Sequence, residues 1–421
     1  MDVLIKAATI IAPKQKHHLK VMDILIRKGK IKKIAPNIKE DKARSIQEEG
    51  LHVSAGWIDL HANLQDPGFE HKEDIQSGIK AASAGGFTKI AVSPLSDPIR
   101  DSKSHIEYLR NHNSNQAIDL LPYGSVSKKA EGKELAELYD MKSSGAVAFF
   151  DGKHSIKNPN LLNRALLYSK SFDGVIFNFP HTEDLAHNGV MNEGHVSTNI
   201  GLKGIPELAE SLMVARDLNI LEYTEGKLHF STISSAKSVE LIAMAQKQGL
   251  KVSCDVASYS LLLNDSNLEG FDSRFKTLPP LRDSKTIKAL VKGIKSGTIT
   301  AISSDHLPED IESKMKELDH ASFGIINLQT AFPSAYTALH KDLDLTQIVQ
   351  LFTEGPASVL SIESNEIKEG NNACLTLFQP YQEFIFTKDQ VKSKSKNSPF
   401  FNMPLKGKVV GTVNNGKLTL N

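Results

Sequence analysis

Eight short apolar runs, each followed by a stretch with helical spacing, fill the middle of this 421-residue chain and constrain its fold more than any other feature. The runs cover residues 56–61, 87–93, 118–123, 146–151, 175–179, 228–232, 252–256 and 299–305. Between them, stretches such as 204–218 and 236–247 set apolar residues at helical spacing, Leu208, Leu212, Met213 and Ala215 among them. Strand–helix repeats of this kind read as parallel sheet, and eight of them predict a (β/α)8 barrel over residues 55–362. A doubly wound open sheet is the alternative. In a barrel the chemistry gathers at the C-terminal strand ends, so function is read there.

Both ends of the chain look different. Residues 3–5, 10–12, 23–27 and 31–34, and later 375–378, 383–386, 408–413 and 417–420, are short β-like runs divided by polar and glycine residues. They predict one small composite β-sandwich domain assembled from residues 1–54 and 363–421.

Charge excludes some partners. Fifty Lys and Arg against 49 Asp and Glu leave no net field to attract nucleic acid or an anionic membrane. Two cysteines, Cys254 and Cys374, form no CxxC pair, which points to a reduced, cytoplasmic setting. The N-terminal apolar stretch is broken by Lys6 and reads as a strand, and no run of about 18 apolar residues is long enough for a membrane span. A small molecule or another protein is the expected partner.

The first strand end carries His61 and, two residues on, Asn63. Residues two apart on a strand share a face, so a pair of imidazoles there could reach one cation; an amide oxygen is a weak, neutral ligand. Taken alone, His61 reads as a histidine satisfied inside the core.

Longer motifs narrow the reading. Asp66-Pro67-Gly68-Phe69-Glu70-His71-Lys72-Glu73-Asp74-Ile75-Gln76-Ser77-Gly78, His181-Thr182-Glu183-Asp184, Met191-Asn192-Glu193-Gly194, the run 201–210, Val214-Ala215-Arg216-Asp217, Pro279-Pro280-Leu281-Arg282 and the run 393–400 occur in one order along nearly the whole chain. In these motifs the chain resembles class I dihydroorotases of the amidohydrolase superfamily. That family serves pyrimidine biosynthesis: a zinc-bound hydroxide opens the dihydroorotate ring, or the reverse step closes carbamoyl-aspartate, with an aspartate shuttling the proton. By resemblance His61, Asp151, His181 and Asp305 occupy metal positions, and Asp305 is also the catalytic aspartate.

The same resemblance exposes losses. Asn63 stands for a second histidine, and Thr232 in His229-Phe230-Ser231-Thr232 for the strand-six histidine, so each zinc position lacks one imidazole. His229 lies three residues before Thr232, and an odd offset on a strand sends it to the opposite face. Gln65 replaces an arginine that would fork onto the substrate carboxylate. Leu95 and Leu278 replace asparagines, and Glu309 replaces a histidine.

These losses imply no tightly bound cofactor, or zinc if the protein is active. They favour a catalytically silent family member that serves as a structural or regulatory partner, with aspartate transcarbamoylase as the partner some class I relatives take, and a homo-oligomeric state. The alternatives are an active hydrolase of a cyclic amide or imide using a reduced metal site, and an ordinary dihydroorotase. Asp151 and Asp305, if close together without a cation, are expected to repel.

Overall fold

The structure is a computed structural model that describes residues 2–113 and 116–421. The eight predicted runs become strands β6 (Trp57–Ala62), β7 (Phe87–Val92), β8 (Asp119–Gly124), β9 (Ala148–Phe149), β10 (Ile176–Asn178), β13 (Leu228–Phe230), β14 (Val252–Ala257) and β15 (Ala301–Ser303). They pair in that order, all in parallel. A parallel bridge from Ala62 to His306, with Asn63 N donating to His306 O and His306 N to His61 O, joins the last strand end to the first. This is the (β/α)8 barrel.

Intervening helices begin where a polar side chain can take up free N–H groups. Asp74 caps Ile75–Ala84, Asn158 followed by a first-turn proline caps Pro159–Ser169, Ser235 caps Ala236–Lys247 and Asp283 caps Ser284–Lys295. The helix expected over 204–218 begins only at Leu208 and runs to Thr224, because Gly204–Ile205 forms the short strand β12 beside β11 (Met191–Asn192), and Pro206 follows. Its core face is the expected one only in part, with Met213 buried as expected. Ala209, Met213, Val214 and Leu221 are buried, whereas Leu208 and Leu212 are exposed.

Strands from both ends of the chain form a single mixed sheet: β1 (Asp2–Ile11), β2 (Val21–Arg27), β3 (Lys30–Ala35), β4 (Arg44–Ile46) and β5 (His52–Ala55) join β16 (Leu375–Ile385), β17 (Pro404–Asn414) and β18 (Lys417–Leu420). The seam between the two ends is the antiparallel pair β5–β16, with Leu375 opposite Ala55 and Phe378 opposite His52.

Trp57 docks this sheet on the barrel. Its ring stacks on Phe332 with centroids 4.2 Å apart and tilts against Phe378 at 5.2 Å, while Nε1 donates to Ser54 Oγ at 2.9 Å. Gly86, at φ +89°, lies so close that an added Cβ would stand 2.7 Å from the indole ring. Among the described residues no helix is long and apolar enough to cross a membrane, and Cys254 and Cys374 are both buried free thiols.

Candidate active site

At the C-terminal end of the barrel the inward-facing polar residues fall into two layers. The inner layer is centred on Asp255, a fully buried carboxylate within the otherwise apolar-rich strand β14. Its Oδ1 is 2.9 Å from His61 Nε2, 3.0 Å from His229 Nε2 and 3.0 Å from Thr232 N, and its Oδ2 accepts from Ser303 Oγ at 2.5 Å. Burial opposes this charge, yet the two imidazoles hold the carboxyl well below its usual range, so it is ionised and both Nε2–H groups donate to it. Burial lowers His229 in turn, and Ser253 Oγ lies 2.7 Å from its Nδ1.

This arrangement corrects the expected direction of His229. Strand alternation holds only through Phe230, where β13 ends; Thr232 has φ +50°, outside strand geometry. The turn returns Thr232 to the barrel interior although it is three residues from His229. Both residues therefore border the site.

The outer layer contains a protein cation. Lys153, two residues past Asp151, places Nζ 2.8 Å from Asp305 Oδ1 and 3.0 Å from Thr232 Oγ1, and 4.5 Å above the Phe179 ring. Tyr259 donates its hydroxyl to the other Asp305 oxygen at 2.6 Å, and burial together with the Asp305 charge pushes that phenol far up. Asp305 is buried and the Lys153 side chain is only 16% exposed, so water screens this pair weakly.

The other two predicted ligands are engaged elsewhere. Both oxygens of Asp151 are held by the loop after β8: Oδ1 by Ser125 Oγ at 2.5 Å, Val126 N at 2.7 Å and Ser127 N at 3.1 Å, and Oδ2 by Ser127 Oγ at 2.5 Å. Burial nevertheless raises this carboxyl. The expected repulsion between Asp151 and Asp305 does not arise, because hydroxyls and amides bond the first and Lys153 neutralises the second. His181 stacks on Phe179 at 5.7 Å, and burial lowers its imidazole.

A divalent ion held between Asp305 and the strand-six position needs unprotonated donors there. Those positions instead contain a threonine hydroxyl and an aspartate that share the Lys153 ammonium. The residues present do not fit a zinc ion at this place.

The replaced substrate positions have their own partners. Gln65 Nε2 donates to Pro308 O at 3.3 Å, and Glu309 pairs with Lys72 at 2.8 Å, so its added negative charge is neutralised within the chain. Leu95 packs over Gly152, and Leu278 joins an apolar cluster with Ile205 and Ala209. Above them the segment between β16 and β17 straps the mouth. Ser393 and Lys394 N bond buried Glu73, Lys394 pairs with Asp74 at 2.7 Å, and Asn397 Nδ2 donates to Leu307 O and Gly324 O.

Comparison with known proteins agrees with this geometry at the level of fold and family. Residues 50–238 match the family model described as dihydro-orotase-like, and residues 181–419 the one described as amidohydrolase family. A dihydroorotase of Acetivibrio thermocellus is 39% identical over 421 residues, covering 99% of each chain. One of Carboxydothermus hydrogenoformans is 38% identical over 419 residues, covering 99% of this chain and 97% of that one. Among solved structures, the L-hydantoinase of Arthrobacter aurescens superposes with a TM-score of 0.86 at 22% identity, covering 100% of this chain and 96% of that one. A D-hydantoinase gives a TM-score of 0.84 at 23% identity, covering 100% and 95%.

Proposed function

Because this chain belongs to the dihydro-orotase-like family of amidohydrolases, we propose that it is a member that no longer opens or closes the dihydroorotate ring and persists as a structural or regulatory partner. The observation that carries this reading is the Lys153–Asp305 ion pair, which fills with an ammonium the place where the family's chemistry needs a metal-bound hydroxide. An ammonium cannot present hydroxide to a carbonyl carbon. Asp305, bonded on both oxygens by Lys153 and Tyr259, is poorly placed to take a proton from substrate. Gln65 cannot supply the bidentate charged clamp an arginine gives a carboxylate.

In this reading the partner is the aspartate transcarbamoylase of the same cytoplasm, bound to a homo-oligomer of this chain. Co-purification of the two from the native host tests it. A stable complex supports the partner role, and its absence removes that role.

A second reading is favoured by the relatives. Proteins 36–39% identical to this chain over almost its full length bear the name dihydroorotase, which supports an active, zinc-dependent cyclic amidohydrolase. Turnover of carbamoyl-aspartate by the unmodified chain with added zinc decides between the two.

A further inference from the structure

We propose that His61, His229 and Asp255 form a binding site for one zinc-class divalent ion inside the barrel, one layer below the Lys153–Asp305 pair. The three residues offer two imidazole nitrogens and a carboxylate oxygen that lie within 4.8 Å of one another, all from buried side chains. Two nitrogens and one oxygen form a donor set that suits zinc, cobalt or nickel.

The spacing is close to what such an ion imposes. Metal–ligand bonds near 2 Å in a tetrahedron put neighbouring donor atoms roughly 3.3 Å apart. Asp255 Oδ1 stands 2.9 Å from His61 Nε2 and 3.0 Å from His229 Nε2, each within a few tenths of an ångström of that spacing, and the two nitrogens lie within 4.8 Å of each other. As the ion enters, each neutral imidazole changes tautomer, its proton leaving Nε2 for solvent and Nδ1 taking one up, so that the Nε2 lone pair is free for the metal. The outer contacts suit the change, since Ser253 Oγ, 2.7 Å from His229 Nδ1, can accept the hydrogen bond that the Nδ1–H then donates. Ser231 Oγ, 3.2 Å from His61 Nε2, supplies a fourth donor, an oxygen, at the same place.

An independent observation points to the same interior. The hydroxyl of Tyr123, buried beside His61 with ring centroids 6.5 Å apart, has no hydrogen-bond partner among the described residues. An orphaned buried phenol is uncommon, and a bound ion with its coordinated water is one way to satisfy it.

Such an ion is structural. The donors are 0–4% exposed and the layer containing Lys153 covers them, so the ion stabilises the fold and does not reach a substrate. The site is therefore compatible with the silent reading and does not depend on it.

The test uses the full chain, loaded with zinc or cobalt and dialysed against metal-free buffer. Metal content, the visible spectrum of the cobalt form and unfolding with and without chelator are the readouts. One retained equivalent is expected, with the intense absorption of four-coordinate cobalt and a higher unfolding midpoint in its presence. His229→Gln and Asp255→Asn should each weaken retention by more than the ~10–100-fold that loss of an outer hydrogen-bond partner costs. Asp305→Asn and His181→Gln should leave it within about twofold, and circular dichroism identifies any variant that fails to fold. The chelator-induced shift of the unmodified chain stands without any variant. No retained metal overturns the site. So does metal that leaves with Asp305→Asn, or with substitution of the exposed Glu317, Asp319 and His320 group. Zinc-dependent turnover would count against the silent reading, and metal content alone decides the site.

Discussion

The ammonium of Lys153 lies 2.8 Å from the carboxylate of Asp305, which makes a lysine of the chain itself the counter-ion at the barrel mouth. The pair is buried and has further bonds to Thr232 and Tyr259. Removing one partner of such a pair leaves a desolvated charge without compensation.

Lys153→Met is therefore expected to lower stability by about 3 kcal/mol in denaturant unfolding, without a change in the denaturant slope. Adding Asp305→Asn should recover most of that loss, since the stranded carboxylate is gone. A Lys153→Met effect under about 0.5 kcal/mol would mean the pair is solvated.

Asp217 gives a pH dependence. It is fully buried in the helix Leu208–Thr224, and burial raises its carboxyl from 3.8 to about 6 against the opposing pull of Arg216 and Asn178. Between these values the folded state keeps a proton that the unfolded chain releases. The stabilising contribution is complete below about pH 4 and is lost as pH rises through 6, by up to about 3 kcal/mol. Asp217→Asn should flatten this part of the stability–pH curve. An unchanged slope between pH 4 and 7 would show that the carboxylate stays ionised.

Gly86→Ala tests the joint between barrel and terminal sheet. The position combines φ +89° with a Cβ 2.7 Å from the Trp57 ring, so strain and overpacking add. A loss of at least about 2 kcal/mol is expected, measured by chemical unfolding, and a neutral substitution would contradict the docking role given to Trp57.

Restoring histidines alone should not restore chemistry. Asn63→His with Thr232→His returns the two missing imidazoles, yet Lys153 still sits against Asp305 and Asp151 remains bound to Ser125 and Ser127. Carbamoyl-aspartate turnover by this double variant should stay at background. Turnover appearing with those two changes would place the defect in the histidines and not in Lys153.

Much of this was legible in the sequence. All eight barrel strands were read from apolar runs with following helical spacing, because a parallel barrel buries each strand on both faces and leaves a strong local signal. The family, too, followed from motifs in their order. The directions of side chains were harder. Met213 matches helical spacing and is buried, but Leu208 and Leu212 match it too and are exposed, because the helix starts after Pro206 and turns Ala209 and Val214 inward instead. Strand alternation sends His229 and Thr232 to opposite faces, but it fails where Thr232 takes a positive φ, and no residue type announces that turn. Lys153 carries a usable signal, a cation two residues beyond Asp151 at one strand end of a barrel that lacks two metal histidines at other strand ends, where Asn63 and Thr232 stand. Asp255, a lone carboxylate among the mostly apolar residues of Val252–Ala257, carried another.

The most direct test of the central claim is the initial rate of dihydroorotate hydrolysis by the purified, unmodified chain in excess zinc. With Lys153 holding Asp305, the rate should equal that of buffer containing zinc alone. A zinc-dependent rate near 1 s⁻¹ or above, in the ordinary range of enzymes and abolished by Asp305→Ala, would contradict the account.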